Sequence, residues 1–242
     1  MHWWRRDRRK GDSDRGAGRY QLLPEMESHP VARRGPKPKP GTRDNLIQVG
    51  LRMIHAEGYA ATGIQSIVEG AGVPKGSFYN HFASKEAFGA EVLDAYFDRN
   101  EGKLRALLLN ADVAPLARLE AYFNDRIDAF RAAGFTRGCL LGNFSAEAAD
   151  HSALLRAHLV EHFGAWSHFF ENCIAEAQEQ GAISDQLPAA LLGRFLLNSW
   201  EGALLRMRAE KSDAPLIEFK EIVFGKRRRK GRRQAKPGFL VR

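Results

Sequence analysis

The sequence predicts an all-α protein, with an N-terminal three-helix head that contains a helix-turn-helix and a larger C-terminal helical body. Apolar residues recur at helical spacing in each long segment between about residues 42 and 225. No segment shows the apolar–polar alternation of a half-buried strand. Glycines and prolines punctuate the chain where helices are expected to end or begin. A chain of 242 residues is long enough for a small domain beside a larger one.

The first predicted helix begins at Thr42 and stops at Gly58. Thr42 is expected to cap it, and Asp44 suits the positive end of the helix dipole. A glycine favours the left-handed backbone that often ends a helix. The inward stripe consists of Ile47, Leu51 and Ile54.

Residues 64–82 predict two short helices joined by a tight turn. Thr62 and Gln65 have the spacing of a capping box at the start of the first helix. Gly72 suits a left-handed turn, and Pro74 is tolerated in the first turn of the second helix. These residues therefore predict a helix-turn-helix.

The second helix of the pair is predicted from Lys75 to Phe82, with Phe78 and Phe82 four residues apart as anchors. Its polar groups are Lys75, Ser77, Tyr79, Asn80 and His81. A short helix that is dense in donors and pinned by two aromatic rings is suited to base readout in the DNA major groove.

The run Val-Pro-Lys-Gly-Ser-Phe-Tyr-Asn-His-Phe, followed by Ser-Lys-Glu-Ala-Phe, resembles the DNA-binding domain of TetR-family repressors over about residues 42–97. The resemblance implies a homodimeric repressor that binds a palindromic double-stranded DNA operator, releases it when a small-molecule inducer binds the body, and needs no cofactor. The DNA-contacting residues that we expect are Arg34, Lys37, Thr62, Gln65, Lys75, Gly76, Ser77, Tyr79, Asn80, His81 and Lys85.

The chain is predicted to have four parts, of which charge and composition indicate the two basic ends and the family resemblance implies the two domains between them. Residues 1–40 are predicted to be a disordered basic arm, 41–88 the DNA-binding domain, 89–225 the ligand-binding and dimerisation domain, and 226–242 a basic tail. The net charge of +8 is concentrated at the two ends, whereas residues 46–225 are acidic overall. The alternating Pro and Lys of residues 33–40 favour an extended arm along the DNA backbone or minor groove. Met26, just before this arm, is an alternative start.

Six helices are predicted in the body. The first is capped by Ser84, and others begin at Pro115, after Cys139, at Ser152, after Pro188 and at Pro215. The helix from Ser152 to about Gln180 and the one after Pro188 carry apolar faces wider than one small body can cover. They predict a four-helix interface between two copies.

Cys139 is the candidate sensor. The run Arg-Gly-Cys-Leu-Leu-Gly-Asn around it resembles the branch of the TetR family that contains acrylate-utilisation and electrophile-sensing repressors. That resemblance implies a reactive thiol, which a helix N-terminus and Arg137 would favour as thiolate. Where the electrophile-sensing relative has a lysine, this chain has Arg208, and an inert packing cysteine is the alternative.

The inducer predicted from this branch is a small electrophilic or acrylate-like compound, with an unrelated hydrophobic ligand as the alternative. The residues that we expect to line its cavity are Phe123, Cys139, Asn143, Trp166 and Trp200. Cys173 lies on an apolar stripe and is expected to be a core residue.

Two rival functions remain. His158, Glu161 and His162 match the H-x-x-E-H pattern of a zinc hydrolase, but no third ligand is evident, so no metal site is predicted. Alternatively, the basic ends could coat DNA without sequence preference. No phosphate-binding loop or serine-nucleophile motif occurs, so an enzyme is not expected. No apolar run is long enough to span a membrane, and no secretory signal is evident, which predicts a cytoplasmic protein.

Overall fold

The computed structural model describes residues 40–225, and within them the chain forms nine α-helices and no strand. The helices are α1 (Thr42–Glu57), α2 (Ile64–Gly70), α3 (Lys75–Tyr79), α4 (Lys85–Leu108), α5 (Pro115–Ala132), α6 (Leu140–Ala148), α7 (Ala153–Glu179), α8 (Ala189–Glu210) and α9 (Ala214–Val223). The all-α prediction is confirmed. None of these helices is both long and apolar enough to cross a membrane.

The head consists of α1, α2 and α3 packed against the first turns of α4. Phe78 of α3 is fully buried, and its ring centroid lies 5.2 Å from those of both Phe82 and Phe88. Phe78 and Phe82 therefore anchor the recognition segment, as predicted, although α3 itself ends at Tyr79. At Gly50 of α1, a Cβ would lie 2.2 Å from the Phe88 ring, so this close packing requires glycine.

The predicted turn residues are confirmed, whereas the predicted N-terminal caps of α1 and α2 are wrong. Gly58 and Gly72 have positive φ values of 98° and 65°, as their turns require. The residue that precedes α1 is Gly41, and the residue that precedes α2 is Gly63, each without a side-chain cap. Thr42 is instead the first residue of α1.

Thr62 and Gln65 do not form a capping box. The Thr62 hydroxyl points into the interior and donates to the carbonyl oxygen of Gly58 at 2.7 Å. The Gln65 amide donates to the carboxylate of Glu69 at 2.6 Å, one helical turn away. Both side chains thus bond locally rather than closing the free amides of α2.

The long helix α4 runs from the head into the body. Its predicted cap is confirmed, because the Ser84 hydroxyl accepts from the amide of Ala87 at 3.1 Å. Phe88 packs in the head, whereas Leu104 and Leu108 are buried in the body, where α4 contacts α5 and α7. Since α4 crosses residue 88, the domain boundary predicted there falls within a helix.

Aromatic rings fill the centre of the body. Phe123 of α5 is fully buried, and its ring centroid lies 4.9 Å from those of Trp200 on α8 and Phe219 on α9. Helices α7 and α8 approach closely at Gly193, where a Cβ would lie 3.0 Å from the backbone of α7. The apolar face of α7, which includes Leu159, Phe170 and Cys173, is buried within one chain.

Part of the exposed apolar surface of the body lies on α8 and α9. Leu191 and Phe195, which belong to the wide apolar face predicted for the helix after Pro188, are both about half exposed. Leu205 and Ile222 are more exposed still. A groove of about 270 Å³ between the two helices is lined in part by Phe195 and Ile222.

Candidate DNA-binding and inducer sites

The candidate DNA surface is the outer face of α3. Tyr79 is 55% exposed although it follows the fully buried Phe78, and Lys75, Gly76 and Asn80 are also exposed. Ser77 and His81 are half-buried. The anchored Phe78 therefore fixes a helix whose other side presents donors and an aromatic ring to solvent.

The structure removes Thr62 from the predicted DNA-contacting set, because its side chain has no exposed surface. Gln65 is exposed, although its amide is engaged with Glu69. Arg34 and Lys37, as well as both basic ends of the chain, lie outside the described residues 40–225.

Lys85 lies at the start of α4, beside the head. Its ammonium nitrogen is 3.4 Å from the carbonyl oxygen of Ala60 and 4.5 Å from the centroid of the Tyr59 ring. Partial burial lowers the pKa of Lys85. These contacts hold the ammonium group near the loop between α1 and α2, where a phosphate could reach it.

The candidate inducer site is centred on Cys139, the residue that precedes α6. Cys139 is only 6% exposed, and its sulfur lies 4.0 Å from the hydroxyl oxygen of Tyr96 on α4. The carboxyl group of Glu201 on α8 lies against the same thiol. A carboxyl, a phenol and a thiol thus meet inside an otherwise apolar body.

The prediction that Cys139 is favoured as thiolate is wrong. Burial raises its pKa well above the ordinary value of a thiol, and the neighbouring negative charge of Glu201 adds to this rise. Arg137, which was expected to favour the thiolate, is exposed and has a left-handed backbone with φ 69°. At rest Cys139 is therefore a protonated thiol.

Glu201 is a site residue that the sequence did not indicate. Its burial raises the pKa of its carboxyl group to about 7, although the hydrogen bond with Cys139 acts in the opposite direction. A Cβ at Gly142 would lie 2.7 Å from a carboxylate oxygen of Glu201. The glycine of the Cys-Leu-Leu-Gly run therefore leaves room for this carboxyl beside the sulfur.

The remaining predicted cavity residues divide into two groups. Phe123 and Trp200 belong to the aromatic core, whereas the Trp166 indole donates to the Tyr122 hydroxyl at 3.1 Å. Burial is the main cause that raises the pKa of Tyr122, and the nearby Cys139 and Glu201 act in the same direction, so this phenol lies near the polar cluster.

Asn143 holds the loop before α6. Its side-chain amide donates to the carbonyl oxygen of Arg137 at 2.9 Å and accepts from the Arg208 guanidinium at 2.7 Å. Arg208 also passes Gly138 so closely that a Cβ there would lie 2.7 Å from its side chain. Arg208 thus positions the loop that carries Cys139.

Contacts near both ends of α6 join the candidate inducer site to the head. Near its start, the His55 ring nitrogen Nε2 of α1 lies 2.9 Å from the carbonyl oxygen of Gly138. Near its end, the Glu147 carboxylate accepts from the backbone amide of Ala60 at 2.8 Å. Sequence patterns gave no signal for these pairs, because their partners are separated by 83 and 87 residues.

His158 and His162 do lie on one face of α7, as their spacing predicts. Both rings converge on a carboxylate oxygen of Asp94 on α4, each at 2.7 Å. Glu161 is exposed and is not part of this cluster. The arrangement required of an H-x-x-E-H hydrolase, with that glutamate as the base, is therefore not formed.

The head carries a helix-turn-helix that is anchored by buried phenylalanines, and α4 and α6 connect it to a body with an aromatic core. This architecture is that of a DNA-binding transcriptional regulator. Two family descriptions match the chain. They are "Bacterial regulatory proteins, tetR family" over residues 46–92 and "Tetracyclin repressor-like, C-terminal domain" over residues 115–223. The chain belongs to the TetR family of bacterial transcriptional regulators.

The chain is similar to several named repressors. It is 41% identical over 182 residues to the repressor DhaR of Mycobacterium sp. (strain GP1), a match that covers 75% of this chain and 90% of DhaR. Identity to the transcriptional regulator AcuR of Cereibacter sphaeroides is 36% over 72% of this chain and 80% of AcuR. The crystal structure of reduced NemR from Escherichia coli superposes with a TM-score of 0.67 at 27% identity, covering 74% and 93% of the two chains.

Another similar structure is that of the regulatory protein TetR from Rhodobacter sphaeroides. Its TM-score is 0.70 at 32% identity, with 75% of this chain and 96% of that chain covered. The protein is thus a ligand-responsive repressor that binds operator DNA as a homodimer, and it is a regulator rather than an enzyme, as predicted.

Proposed function

We propose that the protein acts in the cytoplasm as a repressor whose inducer is a small, uncharged electrophile received at Cys139. The observation that carries this proposal is the course of α6. The helix begins directly after Cys139, and its last turns contact the helix-turn-helix head through Glu147 and Ala60. An event at the thiol therefore has a short physical route to the DNA-binding surface.

The proposed DNA interface is the exposed face of α3. Lys75, Gly76, Ser77, Tyr79 and Asn80 would face base edges and nearby phosphates of one operator half-site. Lys85 would contact a backbone phosphate, and the arm of residues 33–40 would add electrostatic affinity. The division at residue 88 into head and body is part of this proposal.

The proposed dimer surface is the exposed apolar face of α8 and α9. Leu191, Phe195, Leu205 and Ile222 would be covered by the same face of a second copy. This differs from the pairing of α7 with α8 that the sequence suggests, since the apolar face of α7 is already covered within one chain. Two copies present two α3 helices to a palindromic operator.

The charge of Glu201 favours an uncharged inducer. Around neutral pH this carboxyl is partly ionised, so an anionic acid beside it would be repelled in a water-poor environment. A neutral α,β-unsaturated amide or ester carries no such penalty. Among acrylate-like compounds, we therefore favour the uncharged ones.

The chemistry that we propose is addition of the thiol across a carbon–carbon double bond. The Glu201 carboxylate accepts the Cys139 proton as the sulfur attacks the β-carbon, so that a C–S bond forms and the π bond breaks. The resulting enolate then takes a proton at the α-carbon from Glu201. The sulfur and hydrogen are thus both added to the inducer, and Glu201 returns to its starting state.

The adduct would act on the head by displacing α6. A new group at a 6%-exposed thiol cannot be accommodated without shifting neighbouring side chains, because protein interiors are closely packed. Displacement of α6 would disturb the Glu147–Ala60 hydrogen bond and the contact between the Phe144 and Tyr59 rings, whose centroids lie 4.9 Å apart. The head would then leave the orientation that fits the operator.

Operator release tests the proposal. Acrylamide, a neutral unsaturated amide, should release the wild-type protein from its operator, whereas acrylate, an anion of similar size, should be much less effective. Cys139→Ser should bind the operator but resist acrylamide, and Cys173→Ser is the matched thiol control. Equal release of wild type and Cys139→Ser would remove the thiol from the mechanism and favour the alternative of a non-covalent ligand with an inert Cys139.

Deletion of residues 1–25 and 226–242 distinguishes the proposed repressor from a protein that coats DNA without sequence preference. The proposed repressor should retain its preference for one palindromic operator after both deletions. If the shortened protein bound no DNA and the intact chain showed no preference for the palindrome, the DNA-coating function would be favoured.

A further inference from the structure

A second cluster of chemically active side chains lies between α4 and α7, and the proposed inducer site does not include it. We propose that Asp94, His158 and His162 bind a divalent first-row transition metal such as Zn²⁺. This proposal does not depend on the chemistry of Cys139. It concerns a link between the helix that leaves the head and the longest helix of the body.

The three donor atoms already converge. Nδ1 of His158 and Nε2 of His162 each lie 2.7 Å from the same Asp94 carboxylate oxygen. All three atoms lie within 4.8 Å of one another. Ligand atoms of a tetrahedral zinc site, at bond lengths of about 2.0–2.2 Å, are separated by about 3.3 Å. A retreat of the carboxylate by roughly half an ångström, with adjustment of the two imidazole rings so that their nitrogens reach the same spacing, would admit the ion.

The donor types select the kind of metal. Two imidazole nitrogens with one carboxylate oxygen suit Zn²⁺, Fe²⁺, Co²⁺ or Ni²⁺, whereas Ca²⁺ and Mg²⁺ prefer sites made of oxygen ligands. Three protein ligands leave one position of a tetrahedral ion for water. The His158 and Asp94 side chains are 27% and 39% exposed, so an ion and its water can enter from solvent.

The His162 ring is held in place for this role. It is largely buried, and the ring of Phe97 on α4 stacks on it with a centroid separation of 4.7 Å and an interplanar angle of 17°. His158 lies one turn earlier on α7, on the same face. The helix backbone and Phe97 therefore fix the direction of two ligands before any ion binds.

A bound ion would tie α4 to α7. The first turns of α4 carry Phe88 into the core of the head, whereas Asp94, about two turns later, would be a metal ligand. Metal binding would consequently stabilise the fold and restrain the head relative to the body. The alternative is a hydrogen-bonded His–Asp–His cluster that takes no metal.

Zn²⁺ binding to the untagged full chain tests the proposal, with titration calorimetry after removal of metal by a chelator. Wild type should bind one Zn²⁺ per chain at this site, and His158→Ala and Asp94→Asn should each weaken that binding at least about 10-fold. His168→Ala is the matched control, because His168 is an exposed histidine of the same helix that lies outside the cluster. The control should bind as wild type does.

Two further readouts connect binding to the cluster. Zn²⁺ should raise the Tm of wild type and His168→Ala by a few degrees but leave that of His158→Ala unchanged. Co²⁺ should give visible absorption in the first two proteins only. His2 and His29, which lie outside the described residues, are present in all of these proteins, so any Zn²⁺ that they bind does not account for a difference between variants. Unchanged Zn²⁺ affinity in both His158→Ala and Asp94→Asn, or no Zn²⁺ binding by wild type, would overturn the proposal.

Discussion

Replacing Glu201 by Gln should make the protein more stable above neutral pH and should reduce the dependence of its stability on pH. The substitution preserves the shape of the side chain but removes a negative charge that burial disfavours. Because the pKa of this carboxyl is raised in the folded protein, folding takes up a proton near neutral pH.

The direction of the effect follows from proton binding. Below about pH 4.5, the ordinary pKa of a glutamate, the carboxyl is protonated in both the folded and the unfolded chain. Between that pH and about 7 the folded chain holds more protons, so the free energy of unfolding falls as the pH rises. At roughly 1.4 kcal/mol per pKa unit, the cost of ionised Glu201 above pH 7 is on the order of 3 kcal/mol.

The assay is urea unfolding of wild type and Glu201→Gln at several pH values from 5 to 8.5. The variant should gain up to about 3 kcal/mol over wild type at the upper end, and the gain should shrink towards pH 5. Burial lowers the pKa of His55, which works in the opposite direction, but both proteins share this residue. A constant difference across the pH range, or a variant that is less stable at pH 8.5, would refute the reasoning.

Three further predictions concern the head. Gly50→Ala should destabilise the head by roughly 2 kcal/mol or more, because the added Cβ would lie 2.2 Å from the buried Phe88 ring. The expected result is a lower Tm and loss of operator binding, and an unchanged Tm would contradict this packing. Tyr79→Ala should relax operator preference with little change in non-specific affinity, measured by competition with altered operators. Lys85→Ala should weaken binding to all DNA and lower the salt slope by about one, whereas an unchanged slope would exclude a phosphate contact.

Local signals predicted most of the fold. The helix-turn-helix followed from the glycine and proline at its turn and from the two phenylalanines that anchor it. The structure confirms the glycine and both phenylalanines, whereas Pro74 immediately precedes α3 with an extended backbone rather than lying in its first turn. The predicted N-terminal caps of α1 and α2, Thr42 and Thr62, were wrong. Glycines precede both helices, and burial directs the hydroxyl of Thr62 to a carbonyl oxygen within the same turn.

The candidate inducer site was predicted only in part. Cys139 and Asn143 could be singled out from their local run, but Glu201 lies 62 positions after Cys139, on a helix whose pattern gives no sign of a buried carboxyl. The thiolate prediction failed because burial raises the pKa of the Cys139 thiol and the neighbouring Glu201 adds to the rise. Neither the burial nor Glu201 could be read from Arg137 and the other residues next to Cys139. The third ligand of the histidine pair, Asp94, was likewise invisible because it lies on another helix.

The route from Cys139 to the head can be tested by separating modification of the thiol from release of DNA. Glu147→Ala removes the acceptor that holds the backbone amide of Ala60, whereas Glu147→Gln retains an oxygen acceptor and is the matched control.

Operator occupancy should be measured on each protein before and after acrylamide treatment, with the extent of Cys139 alkylation determined by mass spectrometry on the same samples. We expect Glu147→Ala to bind the operator more weakly than wild type before any alkylation, because it lacks the hydrogen bond that the adduct is proposed to disturb. Glu147→Gln should bind the operator and be released after alkylation as wild type is. If untreated Glu147→Ala bound the operator as tightly as wild type and were released as readily after full alkylation, the signal would not pass through the end of α6.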